Sequence, residues 1–571
     1  MRRSSGRALV AVACVTGLAL CRISGEASAH PAQREQSKVD LLYFNGRIHT
    51  LDAARPLVEA LSVSGGRIVE TGSSSELLSH LPPGVRRIDL GGKTVIPALT
   101  DAHAHLIGYA VESAWLDLAG TTSLEDVLGM ISAKLPDTRG GGWILGRGWD
   151  QNDWPVARYP ERGALDRIAS KNPVYLIRVC GHAAFVNSVA LAIAGITRET
   201  PDPPGGRILK DATGEPTGIL LDNAVELVSG RIPPTAQEEK RKLLVAAVHR
   251  CLAFGLVGVH EMGVSAKDVS LYRELSRAGE LPFRVTAYLS ADDPANAVFL
   301  ESGPPPGHPD DHFRIVGAKF YADGSLGARS AALLEDYSDD ALNRGILMKS
   351  PGELYREILP WYEAGFQCAV HAIGDAAVRE VLDVYARLEA EHPASDRRNR
   401  VEHAQVVSAP DVPRFAALGV IPSMQFTHCT SDMPWAEARL GQERIRGAYA
   451  WRSLISAGSR IPGGSDFPVE SPNPFLGIYA AVTRRDAAGR PEAGWRPSER
   501  LTIDEAVRAF TVDAAYAAHA EAFAGSLSEG LLADFVVISG DIFSMKPSEI
   551  PSVRVLATVL AGEIVYGSNA F

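Results

Sequence analysis

The feature that most constrains this chain is a change of period repeated along its middle. Between residues 256 and 425 six short apolar runs recur: 256–262 (LVGVHEM), 284–289 (RVTAYL), 315–321 (IVGAKFY), 367–371 (QCAVH), 400–403 (RVEH) and 420–425 (VIPSMQ). Longer stretches with helical spacing lie around them, such as 237–254 and 377–388 (AVREVLDVYARL). Strand-like runs alternating with helices imply βα units and a parallel sheet. Units of about 30 to 50 residues predict a (β/α)8 barrel, whose functional side chains gather at the C-terminal ends of its strands.

Two regions depart from that rhythm. Between the strand-like end at His103 and the next, near His260, lie too many residues for one unit. Within this interval 205–221 (GGRILKDATGEPTGILL) reads as a hairpin. An inserted subdomain after barrel strand 1, at about 120–240, accounts for it. It could be a solvated cap, but long insertions on barrels cover the active face, which favours a substrate-selecting lid. At the chain ends, 40–52, 60–71 around Gly65-Gly66, and 87–95 alternate apolar and polar residues, as do 533–540 and 553–567 around Gly562. The expected architecture is therefore an α/β (β/α)8 TIM barrel spanning 98–524, with a small β-sandwich assembled from both termini, 39–97 and 525–571.

The first thirty residues are read separately. Arg2, Arg3 and Arg7 precede an apolar run over 8–21, and Ala27-Ser28-Ala29 supplies small residues for cleavage. This is the order of a secretory signal, so residues 1–29 are expected to be removed and the protein to be secreted or periplasmic. The run is too short for a membrane span, and no later stretch approaches about 18 apolar residues, so no stable membrane anchor is expected. Asp and Glu number 68 against 57 Lys and Arg, a formal charge of −11, and no basic run occurs, which argues against nucleic acid as a partner. Nothing in the sequence opposes a homodimer. Outside the leader, Cys180, Cys251, Cys368 and Cys429 are widely spaced and apolar in context. No C-x-x-C occurs, which excludes a cysteine-built zinc site. An export compartment permits disulfides, but a core this large needs no staples, so free buried thiols are expected.

Residues suited to ligate a metal fall at strand ends. In D-A-H-A-H, His103 and His105 are two apart on a strand and face the same way. Such a pair alone is weak evidence. His371 and His403 each end an apolar run, Asp466 closes P-G-G-S-D, and Lys319 lies inside the apolar VGAKFYADG. A lysine in a buried strand is costly unless paired or used. Lys319, His371, His403 and Asp466 are separated by 52, 32 and 63 residues, matching barrel strands four, five, six and eight. Each alone reads more simply as a structural residue. Together they converge on one mouth.

The motifs IPALTDAHAHL (96–106), GRGWDQNDWP (146–155), GHAAFVNSVAL (181–191), KFYADGSLGARSAAL (319–333), VHAIGDAA (370–377), VEHAQ (401–405), GGSDFPVESPNPFLGIYAAVTR (463–484) and LADFVVISG (532–540) occur in that order. With them the chain resembles the amidohydrolase superfamily, in its YtcJ-like branch that includes N-substituted formamide deformylases. One departure is Ala98, where that family usually has glycine. The resemblance implies a first ion held by His103, His105 and Asp466. A Lys319 carboxylated by carbon dioxide would bridge to a second ion held by His371 and His403. A one-ion site with unmodified Lys319 stays open. Zinc suits these nitrogen and oxygen ligands best.

The implied reaction is hydrolysis of a small-molecule substrate. A divalent ion lowers the pKa of a water to about 7, and Asp466 would take its proton and pass it to the leaving amine. His182 would help to polarise the carbonyl, unless it is a core histidine. Trp149 and Trp154 would line an apolar pocket, and His260 would touch the substrate. The expected function is an exported metal-dependent hydrolase of a non-peptide C–N bond, most plausibly an amide of a small hydrophobic molecule. A lactone, carbamate or phosphotriester hydrolase would use the same site. A non-catalytic exported binding protein is disfavoured, because a binder has no need of Asp466.

Overall fold

The computed structural model describes residues 39–570 except 83, 157, 180, 182, 204, 205, 309 and 395. The signal-peptide expectation for 1–29, and the roles expected of His182 and Cys180, fall outside the described residues.

Eight strands form the barrel: β1 (Leu99–Ala104), β2 (Leu256–Val264), β3 (Arg284–Ser290), β4 (Phe313–Tyr321), β5 (Gln367–Ala372), β6 (Arg400–His403), β7 (Ile421–Gln425) and β8 (Gly463–Gly464). They lie in sequence order and every pairing is parallel. The seam between β8 and β1 is closed by backbone bonds just beyond β8. Asp466 N donates to His103 O at 2.8 Å and His105 N to Phe467 O at 2.8 Å. Gly464 is needed here, because a methyl on it would lie 2.6 Å from His103 N and 2.8 Å from Asp101 Oδ1. Helices such as Gln237–Ala253 and Asp375–Glu391 turn Leu244, Val248, Leu252, Val378, Val381 and Leu388 onto the strands, burying the stripe that their spacing announced.

The termini meet in two sheets. One orders strands Arg67–Gly72, Ala60–Ser64, Leu41–Phe44 and Arg86–Asp89. The other orders Glu563–Tyr566, Val555–Leu560, Phe535–Ile538, Thr94–Pro97, Arg47–His49 and Leu57–Val58. Phe535–Ile538 pairs antiparallel with Thr94–Pro97, and Tyr43, Leu61, Val95, Phe535 and Val559 share the buried layer. The stretch 87–95, read as one strand, is two. Gly91 and Gly92, both at positive φ, turn the chain so that Arg86–Asp89 joins one sheet and Thr94–Pro97 the other.

The insertion carries its own six-stranded sheet, ordered Gly206–Lys210, Pro216–Asp222, Ala183–Val186, Val174–Arg178, Ile144–Trp149 and Leu116–Asp117. Its hairpin pairs Arg207 with Leu221 across the predicted turn. Arg147 reaches Glu112 at 3.3 Å, tying the insertion to the helix Leu106–Glu112 that follows His105.

Cys251, Cys368 and Cys429 are free and buried. Burial raises all three thiols, that of Cys429 to about 12. These three are expected to resist alkylation in the native protein and to react on unfolding, as mapped by mass spectrometry. Rapid native labelling would contradict the enclosure seen here.

Candidate functional site

The side chains at the C-terminal mouth are placed by strand ends. β1 delivers His103 and His105, β4 Lys319, β5 His371, β6 His403, and the turn after β8 delivers Asp466. His403 (φ 72°) and Asp466 (φ 59°) hold the left-handed conformation that residues other than glycine seldom adopt. Backbone held this way at a cleft is a signature of functional positions.

Three of the rings, those of His103, His105 and His403, are anchored through Nδ1. His103 Nδ1 donates to Glu402 Oε2 at 2.5 Å, His105 Nδ1 to Met262 O at 3.0 Å, and His403 Nδ1 to Gln425 Oε1 at 2.7 Å. Those partners leave Nε2 of each neutral ring as a bare lone pair. Asp466 Oδ1 then lies 3.2 Å from His105 Nε2 and 3.5 Å from His103 Nε2. Both His103 Nε2 and Asp466 Oδ1 are buried with no hydrogen-bond partner among the described residues. Three acceptors pointing at one spot repel unless a cation lies between them. The rings pack closely, His103 to His403 at 4.8 Å and His371 to His403 at 4.5 Å between centroids.

Electrostatics favour the neutral imidazole, the form that ligates, at His103, His371 and His403. Burial, then the Lys319 charge, lowers His103 to about 4 and His371 to about 3, and burial holds His403 well below its usual value. Burial alone would lower His105, but its Asp466 partner outweighs that and raises it. Burial pushes the Asp466 carboxyl up, yet His105 and the other histidines around it hold it well below the carboxylate range. Burial lowers Lys319 to about 8, against the pull of Glu402 and Asp466. Lys319 is 1% exposed and lies 5.2 Å from the Tyr321 ring centre. Among the described residues no hydrogen bond or ion pair holds its ammonium.

Beneath the mouth, Arg400 is wholly buried. It donates to Glu402 through Nε at 2.7 Å and Nη2 at 3.1 Å, and also to His260 Nδ1, Tyr288 Oη, Ala102 O and Ser423 Oγ. The chain Arg400–Glu402–His103 fixes the His103 tautomer, the role that carboxylates behind metal-ligating histidines commonly fill. Asp101 does comparable work at the seam, accepting from His103 N at 3.1 Å and from Ser465 Oγ at 2.6 Å. Asp323 accepts three backbone N–H groups, and Asp375 accepts from Leu334 N, so both brace the loops around the mouth.

Three expected substrate contacts lie elsewhere. His260 does not end its strand: β2 continues to Val264, and the ring, 2% exposed, accepts from Arg400 inside the barrel. Trp149 is fully enclosed in the core of the insertion and donates to Leu176 O at 3.0 Å. Trp154 packs 5.9 Å from it and borders a cavity of about 400 Å³ within the insertion, also lined by Leu124 and Tyr159. Conversely, His428 was missed. It lies on the helix Phe426–Asp432 after β7 and turns its Nε2 towards Asp466 Oδ2 at 3.9 Å. Two groups could thus hold an ion: His103, His105 and Asp466, and His403, His428 and Asp466.

The model of the amidohydrolase family matches residues 86–566. The chain belongs to the amidohydrolase family. This amidohydrolase is 36% identical over 533 residues to the putative amidohydrolase YtcJ of Bacillus subtilis, covering 92% of this chain and 99% of that relative. It is 30% identical over 546 residues to the N-substituted formamide deformylase of Arthrobacter pascens, covering 92% and 98%. Among solved structures, an uncharacterized metal-dependent hydrolase from Pyrococcus furiosus superposes with a TM-score of 0.72 at 31% identity, over 88% of this chain and 99% of that one. No helix among the described residues is long and apolar enough to cross a membrane.

Proposed function

We propose that this amidohydrolase is a metal-dependent enzyme that hydrolyses a non-peptide C–N bond, an amide of a small hydrophobic molecule. The observation that carries the reading is the convergence of three acceptors, with His103 Nε2 and His105 Nε2 both within 3.5 Å of Asp466 Oδ1. The residues fit the group: neutral imidazoles and a carboxylate are ligands that zinc accepts, and two of the donor atoms are otherwise orphaned. When bound, a divalent metal polarises a carbonyl and lowers the pKa of a water. Asp466 takes a proton from the attacking water as the C–O bond forms and gives it to the departing nitrogen as the C–N bond breaks. His103 and His105 hold their lone pairs in place through Glu402 and Met262. Lys319, unpaired and lowered to about 8, is the amine on which carbon dioxide would add, with loss of the ammonium proton, to give an anionic oxygen donor.

The deformylase relative supports an amide-type bond. The leader with Arg2, Arg3 and Arg7, the apolar run and Ala27-Ser28-Ala29 supports export. The test is turnover of purified protein on N-formyl, N-acyl, lactone, carbamate and phosphotriester substrates, stripped of metal and then given zinc. Zinc-restored amine release from amides is expected. Restored cleavage of lactones, carbamates or phosphotriesters alone would overturn the bond. Silence across the panel with zinc bound would favour a binding protein.

A further inference from the structure

The acceptors around Asp466 do not end at Oδ1. Its second oxygen faces His428 Nε2, an atom that is buried and has no hydrogen-bond partner among the described residues. The His428 ring lies nearly parallel to that of His403, at 14° and 6.1 Å between centroids. His403, with its Nδ1 proton committed to Gln425, offers a lone pair there. One ligand atom from each of His403, His428 and Asp466 lies within 4.8 Å of the others. His371 Nε2 lies 3.3 Å from Gly324 O and 3.6 Å from Asp323 Oδ1.

We propose that His428 is a ligand of a second ion position, with His403 and Asp466, and that the two oxygens of Asp466 serve the two positions. Three protein donors of this kind leave a coordination place open, the pattern of catalytic rather than structural zinc. The proposal rests on the metal-dependent reading above and adds to it a residue three positions beyond a strand end.

The test reads metal rather than turnover. Purified protein, stripped by chelator and reloaded with zinc, is expected to hold two equivalents by elemental analysis, and the His428→Ala variant one, with unchanged circular dichroism. Retention by His428→Ala of the wild-type zinc content, at the wild-type resistance to chelator, would overturn the proposal. A second measurement needs no variant. Carbethoxylation of wild-type histidines, mapped by mass spectrometry, should show zinc shielding His428, and equal modification with and without zinc would overturn the proposal too. If wild type took up no zinc at all, the metal-dependent reading itself would fall.

Discussion

Asp466→Asn should lower kcat by about 10²- to 10⁴-fold, the range for loss of a positioned acid–base group. The fold should survive. Asp466 has φ 59°, and asparagine is among the few residues that accept that backbone without strain. Its main-chain bond to His103 O, which closes the barrel, is untouched by the change. The amide keeps the shape of the carboxylate but can neither accept the water's proton nor return it to nitrogen. It also removes the negative charge that faces His103, His105 and His428, so zinc retention should weaken alongside turnover. Circular dichroism and elemental analysis would accompany the rate measurement. Unchanged activity in a folded variant would remove Asp466 from the mechanism.

The second large effect is on stability. Arg400 and Glu402 are both fully enclosed, and removing one member of a buried pair leaves the other charge uncompensated. Arg400→Met is expected to destabilise the protein by about 3–5 kcal/mol. The double variant Arg400→Met/Glu402→Leu should regain much of that, because the stranded carboxylate is gone as well. It should nonetheless bind zinc about 10–100-fold more weakly, since nothing then accepts the His103 Nδ1 proton. Guanidinium unfolding and a chelator competition separate the two outcomes. If Arg400→Met unfolded with the wild type, the pair would not be the brace described here.

These two residues also show what was legible beforehand. In R-V-E-H, positions 400 and 402 face one side of β6, so an arginine and a glutamate in a buried strand were there to be read as a pair. The barrel was visible because period-2 and period-3.6 stretches alternate, and His103, His105, Lys319, His371, His403 and Asp466 were visible because each ends or interrupts an apolar run. His428 gave no such signal. It follows the end of β7 by three residues, on a helix whose start is hidden by the apolar continuity of the sequence. His260 misled for the opposite reason. It reads as a strand end, whereas β2 runs on to Val264 and carries the ring inside the barrel. Trp149 and Trp154 were expected to line an apolar pocket in the insertion; Trp149 is enclosed in the core there, and Trp154 borders a cavity beside it.

The pairing of Thr94–Pro97 with Phe535–Ile538 bears on how the molecule is made. During synthesis an early strand must wait for a partner that leaves the ribosome more than four hundred residues later. Until then the edge of Thr94–Pro97 away from Arg47–His49, and its share of the Tyr43–Val95 layer, stay open, as sticky as any unpaired sheet edge. Completion of the sandwich is therefore a late step that reports on the whole polypeptide. A product cut short before Phe535 would lack the clasp and present an edge strand to its neighbours.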